Sequence, residues 1–94
     1  MFFVSLTYRV PLEEVEPHMA GHMEWLQKYY DAGVFMASGR KVPRTGGVIF
    51  ACGERTALEA CLAEDPFAIH KLADCEIVEF SVSTAIAGME ALKG

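Results

Sequence analysis

Three groups of residues in this sequence have types and spacings that could do chemistry. His18, His22 and Trp25 run along one edge of a helical pattern. At about 100° per residue, His22 lies roughly 40–60° from the centre of the Met19/Leu26 apolar stripe, so it should face the border of a core. An imidazole half buried there can take and return a proton near neutral pH when a neighbour fixes one of its nitrogens. It can equally be an amphipathic border residue with one nitrogen satisfied. Trp25, on the same edge, offers a flat apolar wall. His18 and His22 have the i, i+4 spacing of a metal pair. No HExxH arrangement and no third ligand accompanies them, so no metal is expected.

The second group is Asp65-Pro66-Phe67. Asp followed by Pro reads as the start of a helical turn, with Asp65 as N-cap and Pro66 in the first helical position. A cap uses one carboxylate oxygen and leaves the other for a second partner. Where two helices cover one sheet, the end of the second can approach the first, so an Asp65–His22 contact is geometrically allowed. Phe67 would then add another apolar wall. The third group is Ser38-Gly39-Arg40, inside a strand pattern. A glycine there marks a bulge or a place where a ligand comes close to the backbone. Arg40 and Lys41 would then hold a carboxylate or similar anion, Arg in bidentate fashion. A solvated edge strand is the alternative. Gly46-Gly47 reads as turn chemistry, because no helix start and no GK[ST] follows to make a phosphate cradle. His70 and Lys71 read as a solvated pair.

Elements that must position these residues follow from periodicity. Residues 2–10 alternate, with Phe2, Val4, Leu6, Tyr8 and Val10 opposite Phe3, Ser5, Thr7 and Arg9, which predicts a strand. Pro17 fits the first position of a helix whose Met19, Met23, Leu26 and Tyr30 share a face and which Gly33 closes. Residues 34–42 and 46–52 pair as a hairpin across Pro43-Arg44-Thr45. A second helix covers about 55–63, with Thr56 and Glu59 as a capping box. A last strand runs over 75–82, and the Ala-rich tail 83–94 could form a loosely docked helix. The order β-α-β-β-α-β is the ferredoxin-like split βαβ pattern of the α+β class, one domain over 1–94 with its core in 2–82. Ser5, Thr7, Arg9, Ile77 and Glu79 fall on the sheet face away from the helices. That mixed face suggests a homodimer whose sheets pack together, with a polar-lined cavity for a small molecule.

Composition narrows the partners. The 94 residues carry a net charge of −5 and are 52% hydrophobic, so the chain can bury a core. Eight scattered Lys and Arg make no cationic stripe, which argues against nucleic acid and against an anionic membrane surface. Cys52, Cys61 and Cys75 form no CxxC pair, pointing to reduced thiols in a cytoplasmic protein. Neither a signal peptide nor a membrane span is legible.

Taken in order, several phrases resemble the YCII-related (YciI-like) family of small dimeric proteins, from Phe2 to about Val82. They are Val4-Ser5-Leu6-Thr7-Tyr8, His22-Met23-Glu24-Trp25-Leu26, Gly33, Ala37-Ser38-Gly39, Pro43-Arg44-Thr45-Gly46-Gly47 and Asp65-Pro66-Phe67. The resemblance implies a ferredoxin-like fold, a dimeric α+β barrel, and a His–Asp pair in a pocket that maps to His22 and Asp65. Two positions depart from the family pattern. Many members carry an Arg three residues before the helix histidine, where this chain has Met19. Many read Ser-Gly-Pro where this chain reads Ser38-Gly39-Arg40. Both departures change which charge can meet a substrate. The expected function is an enzyme or enzyme-like protein acting on an unidentified metabolite without a cofactor. In it His22 shuttles a proton in an isomerase, lyase or hydrolase step, and Asp65 orients the ring. Ser38 and Arg40 position the ligand, and Trp25 and Phe67 wall it. The alternatives are a non-catalytic dimeric binding or accessory module with structural His22 and Asp65, and a cofactor-free oxygenase or isomerase of the same barrel type.

Overall fold

A computed structural model describes residues 1–93. Its strands are β1 (Phe2–Tyr8), β2 (Phe35–Arg40), β3 (Gly46–Ala51) and β4 (Ala73–Glu79). Its helices are α1 (Leu12–Val15), α2 (Met19–Asp31), α3 (Arg55–Leu62) and α4 (Pro66–Ile69), with 3₁₀ turns at Glu16–His18 and Glu90–Lys93. All three strand pairings are antiparallel and the sheet order is β2-β3-β1-β4. Each βαβ unit is therefore split by a strand of the other, which is the ferredoxin-like α+β arrangement. One sheet face packs Phe2, Val4, Leu6, Ile49 and Ala51 against Trp25, Leu26, Leu58, Cys61 and Leu62. A second cluster of Val15, Phe67 and Leu72 closes the end where α4 docks.

Register corrects the expected composition of the open face. Val4 pairs with Ile77 and Phe2 with Glu79, so Ile77 and Glu79 share the helix-facing side. The open face instead carries Ser5 and Thr7 with Phe3, Val48, Phe50, Glu76 and Val78. Phe3 lies 5.7 Å from Phe50, and Phe50 lies 6.5 Å from Phe80, centroid to centroid. The outer face is thus more apolar than the sequence pattern indicated.

Other boundaries shift for local reasons. β4 ends at Glu79 because its partner ends at Phe2; beyond it only the Phe80 N–H reaches back, to the Met1 carbonyl. α2 starts at Met19, since Pro17 is taken up by the 3₁₀ turn. The Thr56/Glu59 capping box does not form, because α3 begins at Arg55 and leaves Thr56 inside the first turn. Arg55 and Glu59 make an i, i+4 ion pair at 3.7 Å instead. Within the described residues of the tail, the only helical turn is the 3₁₀ turn at Glu90–Lys93, not a docked helix.

Candidate functional site

The site begins with a glycine. Gly21 sits in α2 where a Cβ would come within 3.3 Å of Pro66 Cγ, so its bare backbone lets the start of α4 approach. Glycine inside a helix costs about 0.5–1 kcal/mol relative to alanine, which this approach offsets. Asp65, the N-cap of α4, is 2% exposed. Its Oδ1 accepts the Phe67 backbone N–H at 3.0 Å, as an N-cap should. The same oxygen lies 2.8 Å from His22 Nδ1. One oxygen thus serves both the cap and the second partner, in place of the separate oxygens expected. An ionised carboxylate only accepts, so Nδ1 is the donor in this bond, and a neutral ring held this way has its lone pair on Nε2.

Aromatic packing fixes the imidazole from behind. The Phe67 ring stacks on His22 at 4.0 Å with the planes 4° apart, and Trp25 lies 5.4 Å away. Trp25 Nε1 donates to the Cys61 carbonyl at 2.9 Å, which ties α2 to α3. Trp25 and Phe67, expected as walls touching a ligand, both lie in the packed interior and not in the lining of the cleft that His22 faces. They hold the histidine in place by packing against its ring.

That cleft has a volume of about 220 Å³ and lies between α2 and the β2–β3 hairpin. Met19, Met23, Leu26 and Ile49 give it an apolar side, and Tyr8, Ser38, Arg40 and Arg44 give it a polar one. The β2–β3 register pairs Ser38 with Ile49 and Arg40 with Gly47, which turns both side chains toward the helices. The Ser38 hydroxyl accepts from the Tyr30 hydroxyl at 2.7 Å. Gly46 and Gly47, read as turn residues, open β3 and form bare floor in the cleft. Lys41, expected beside Arg40, reaches the other way and donates to Thr7 Oγ1 at 2.9 Å.

The structure thus brings His22, Ser38 and Arg40 to one cleft, with Asp65 bonded to His22 from the interior. Arg44 and Tyr8 were missed. Arg44 sits in a segment read only as a turn, where periodicity does not say which way a side chain folds. Tyr8 did carry a signal, being the one polar handle at the end of the apolar face of β1. His70, read as solvated beside Lys71, packs against His18 with centroids 4.2 Å apart. Among the described residues no group of three or more His, Cys, Asp or Glu is placed to hold a metal.

Elsewhere, Glu64 links α2 to the α3–α4 connection. It accepts from the Tyr29 hydroxyl and from Lys28 Nζ, both at the surface. The Tyr29 hydrogen bond first, then the Lys28 bond, hold its carboxyl below the ordinary value. Burial pushes the Cys61 thiol up to about 12.

The YCII-related domain family matches residues 1–81. The chain belongs to that family. Among solved structures, this YCII-related protein is similar to the 5-chloro-2-hydroxyhydroquinone dehydrochlorinase TftG of Burkholderia phenoliruptrix AC1100, determined in complex with 2,5-dihydroxybenzoquinone. The TM-score is 0.69 at 15% identity, over 86% of this chain and 94% of that one. At that identity the likeness speaks for the fold. No curated protein matches the sequence significantly. No helix among the described residues is long and apolar enough to cross a membrane.

Proposed function

We propose that this YCII-related protein binds a small metabolite in the His22 cleft and moves a proton to or from it. The observation carrying this reading is one bond: the buried Asp65 carboxylate 2.8 Å from His22 Nδ1, behind a ring that lines an open cleft. With Nδ1–H held by Asp65 and the ring clamped by Phe67, Nε2 is the basic atom presented to a ligand. His22 would act as general base and then as general acid, Asp65 as the group that orients it. Ser38 and Arg40 would position the ligand, with Trp25 and Phe67 supporting the ring. Such a transfer fits an isomerase, lyase or hydrolase step. The dehydrochlorinase name of the structural relative, and the small ring compound in its complex, support a small-molecule reading of this fold. The oxygenase alternative called for a deep and mostly apolar cavity, whereas this cleft is small and flanked by two guanidiniums.

The protein would work as a homodimer through the open sheet face, where Phe50, Val78 and Phe80 are 38%, 47% and 37% exposed. Burying a patch of that kind is a driving force for association. Sedimentation of a Phe50→Glu/Val78→Glu variant should then show a monomer. Free thiols at Cys52, Cys61 and Cys75 suit a reducing, cytoplasmic setting.

The test of proton transfer uses small carbonyl and hydroxy acids first screened by thermal shift. Ligands that bind are then followed by NMR in D₂O. Wild type should convert a bound ligand or exchange its acidic C–H for deuterium. His22→Gln should lose that rate by about a hundredfold or more, in line with a general-base contribution. Ligands that bind yet exchange equally fast with His22→Gln would overturn the reading and leave a binding module.

A further inference from the structure

We infer that Arg40 and Arg44 form a two-guanidinium clamp for the oxyanion of a small carboxylate- or phosphate-bearing ligand, whose apolar body lies against the methionines of α2. The location of this clamp rests on the small-molecule reading of the His22 cleft. The chain has 13 acidic residues against 8 Lys and Arg, yet no Asp or Glu lines the cleft while two arginines do. Among the described residues neither guanidinium has a carboxylate within ion-pair distance, unlike Arg9 and Arg55. Arg44 is half-buried, so part of its charge is withdrawn from water without a protein partner. Two free guanidiniums beside apolar walls focus positive potential in a concave space, where a planar or tetrahedral oxyanion can accept in bidentate fashion.

The opposite wall fixes the rest of the ligand. Met19, Met23 and Leu26 present thioethers and methyls that adapt to a flat or irregular apolar body. A cleft of about 220 Å³ falls below the roughly 300–1,000 Å³ of drug-sized sites, so the ligand is small. Gly47, opposite Arg40 in the register, leaves open floor between the arginines and Ile49. With the oxyanion at the hairpin and the body on α2, the ligand lies across the cleft lining that His22 shares.

Calorimetric titration with benzoate, phenyl phosphate and their neutral analogue benzamide tests the clamp. At least one anion should bind about tenfold or more tightly than benzamide, and more weakly as salt rises. Benzoate ahead of phenyl phosphate assigns a carboxylate; the reverse order assigns a phosphate. Arg40→Met and Arg44→Met should each raise the anion's Kd about tenfold, with Arg44→Lys in between. Amide NMR spectra of the variants verify that they are folded. Benzamide binding as tightly as both anions overturns the proposal. So does an absence of anion binding at millimolar concentration, or unchanged anion binding in the folded Arg40→Met/Arg44→Met double variant. Anion binding by wild type without any proton exchange leaves the clamp standing and removes the proton-transfer reading. Exchange on neutral ligands only does the converse.

Discussion

Replacing Asp65 isolates the interaction on which the site depends. Its Oδ1 accepts from the Phe67 N–H at 3.0 Å and from His22 Nδ1 at 2.8 Å, in a side chain 2% exposed. Asp65→Ala removes both hydrogen bonds together. Loss of an N-cap costs about 0.5–2 kcal/mol. The buried His22 donor left unpaired adds about 1–3 kcal/mol. Together these come to about 1.5–5 kcal/mol, a large part of the roughly 5–15 kcal/mol that stabilises a typical domain. At about 4–8 °C per kcal/mol for a chain this size, the Tm should fall by about 6 °C or more. Asp65→Asn keeps an oxygen that can accept both bonds and loses only the charge, so it should cost about 1–2 kcal/mol. Urea unfolding reads both variants as shifts in midpoint at constant m. In a double-mutant cycle, Asp65→Ala with His22→Gln should cost less than the sum of the singles by about 0.5–3 kcal/mol. An Asp65→Asn variant as unstable as Asp65→Ala, or an additive cycle, would refute the reasoning.

Three further outcomes are expected. A Cβ at Gly46 would overlap the Leu6 carbonyl within the β1–β3 pairing, so Gly46→Ala should lose about 1–3 kcal/mol in urea unfolding; a variant as stable as wild type would mean that β3 is not seated as described. Cys61 is buried and its thiol is pushed up to about 12, so a thiol reagent should modify it only as the protein unfolds, well after Cys75; equal rates in the native protein would contradict the packing of α3. The folded carboxyl of Glu64 lies below its ordinary value of 4.5, so the stabilisation it gives is present at neutral pH and is lost as pH falls from that value through the folded one. The stability gap between wild type and Glu64→Gln should therefore close on acidification, and a gap that persists in acid would count against the ion pair.

The fold was legible because periodicity and punctuation agree along most of the chain. Alternation in Phe2–Tyr8, the i, i+3, i+4 stripe of Met19–Tyr30 and the Asp65-Pro66 start each specify one element, and together they give the split βαβ order. Sidedness in β4 was not legible. Ile77 and Val78 are adjacent and both apolar, so period two alone does not choose between them; pairing of Ile77 with Val4 does. The His22–Asp65 contact spans 43 positions in sequence and depends on how closely α4 approaches α2 at Gly21. Sequence marked both residues as candidates, but only packing could bring them together. Arg44 escaped for a related reason: a turn's backbone chemistry is readable, while the direction of its side chain is set by the sheet it closes.

The most direct test of the central claim is the tautomer of His22, read by long-range ¹H–¹⁵N NMR of the ring at mildly alkaline pH. A single neutral tautomer is expected, with the proton on Nδ1 and the lone pair on Nε2, lost or mixed when Asp65 is replaced by Ala. A ring protonated on Nε2, or one averaging freely between both forms in the wild-type protein, would contradict it.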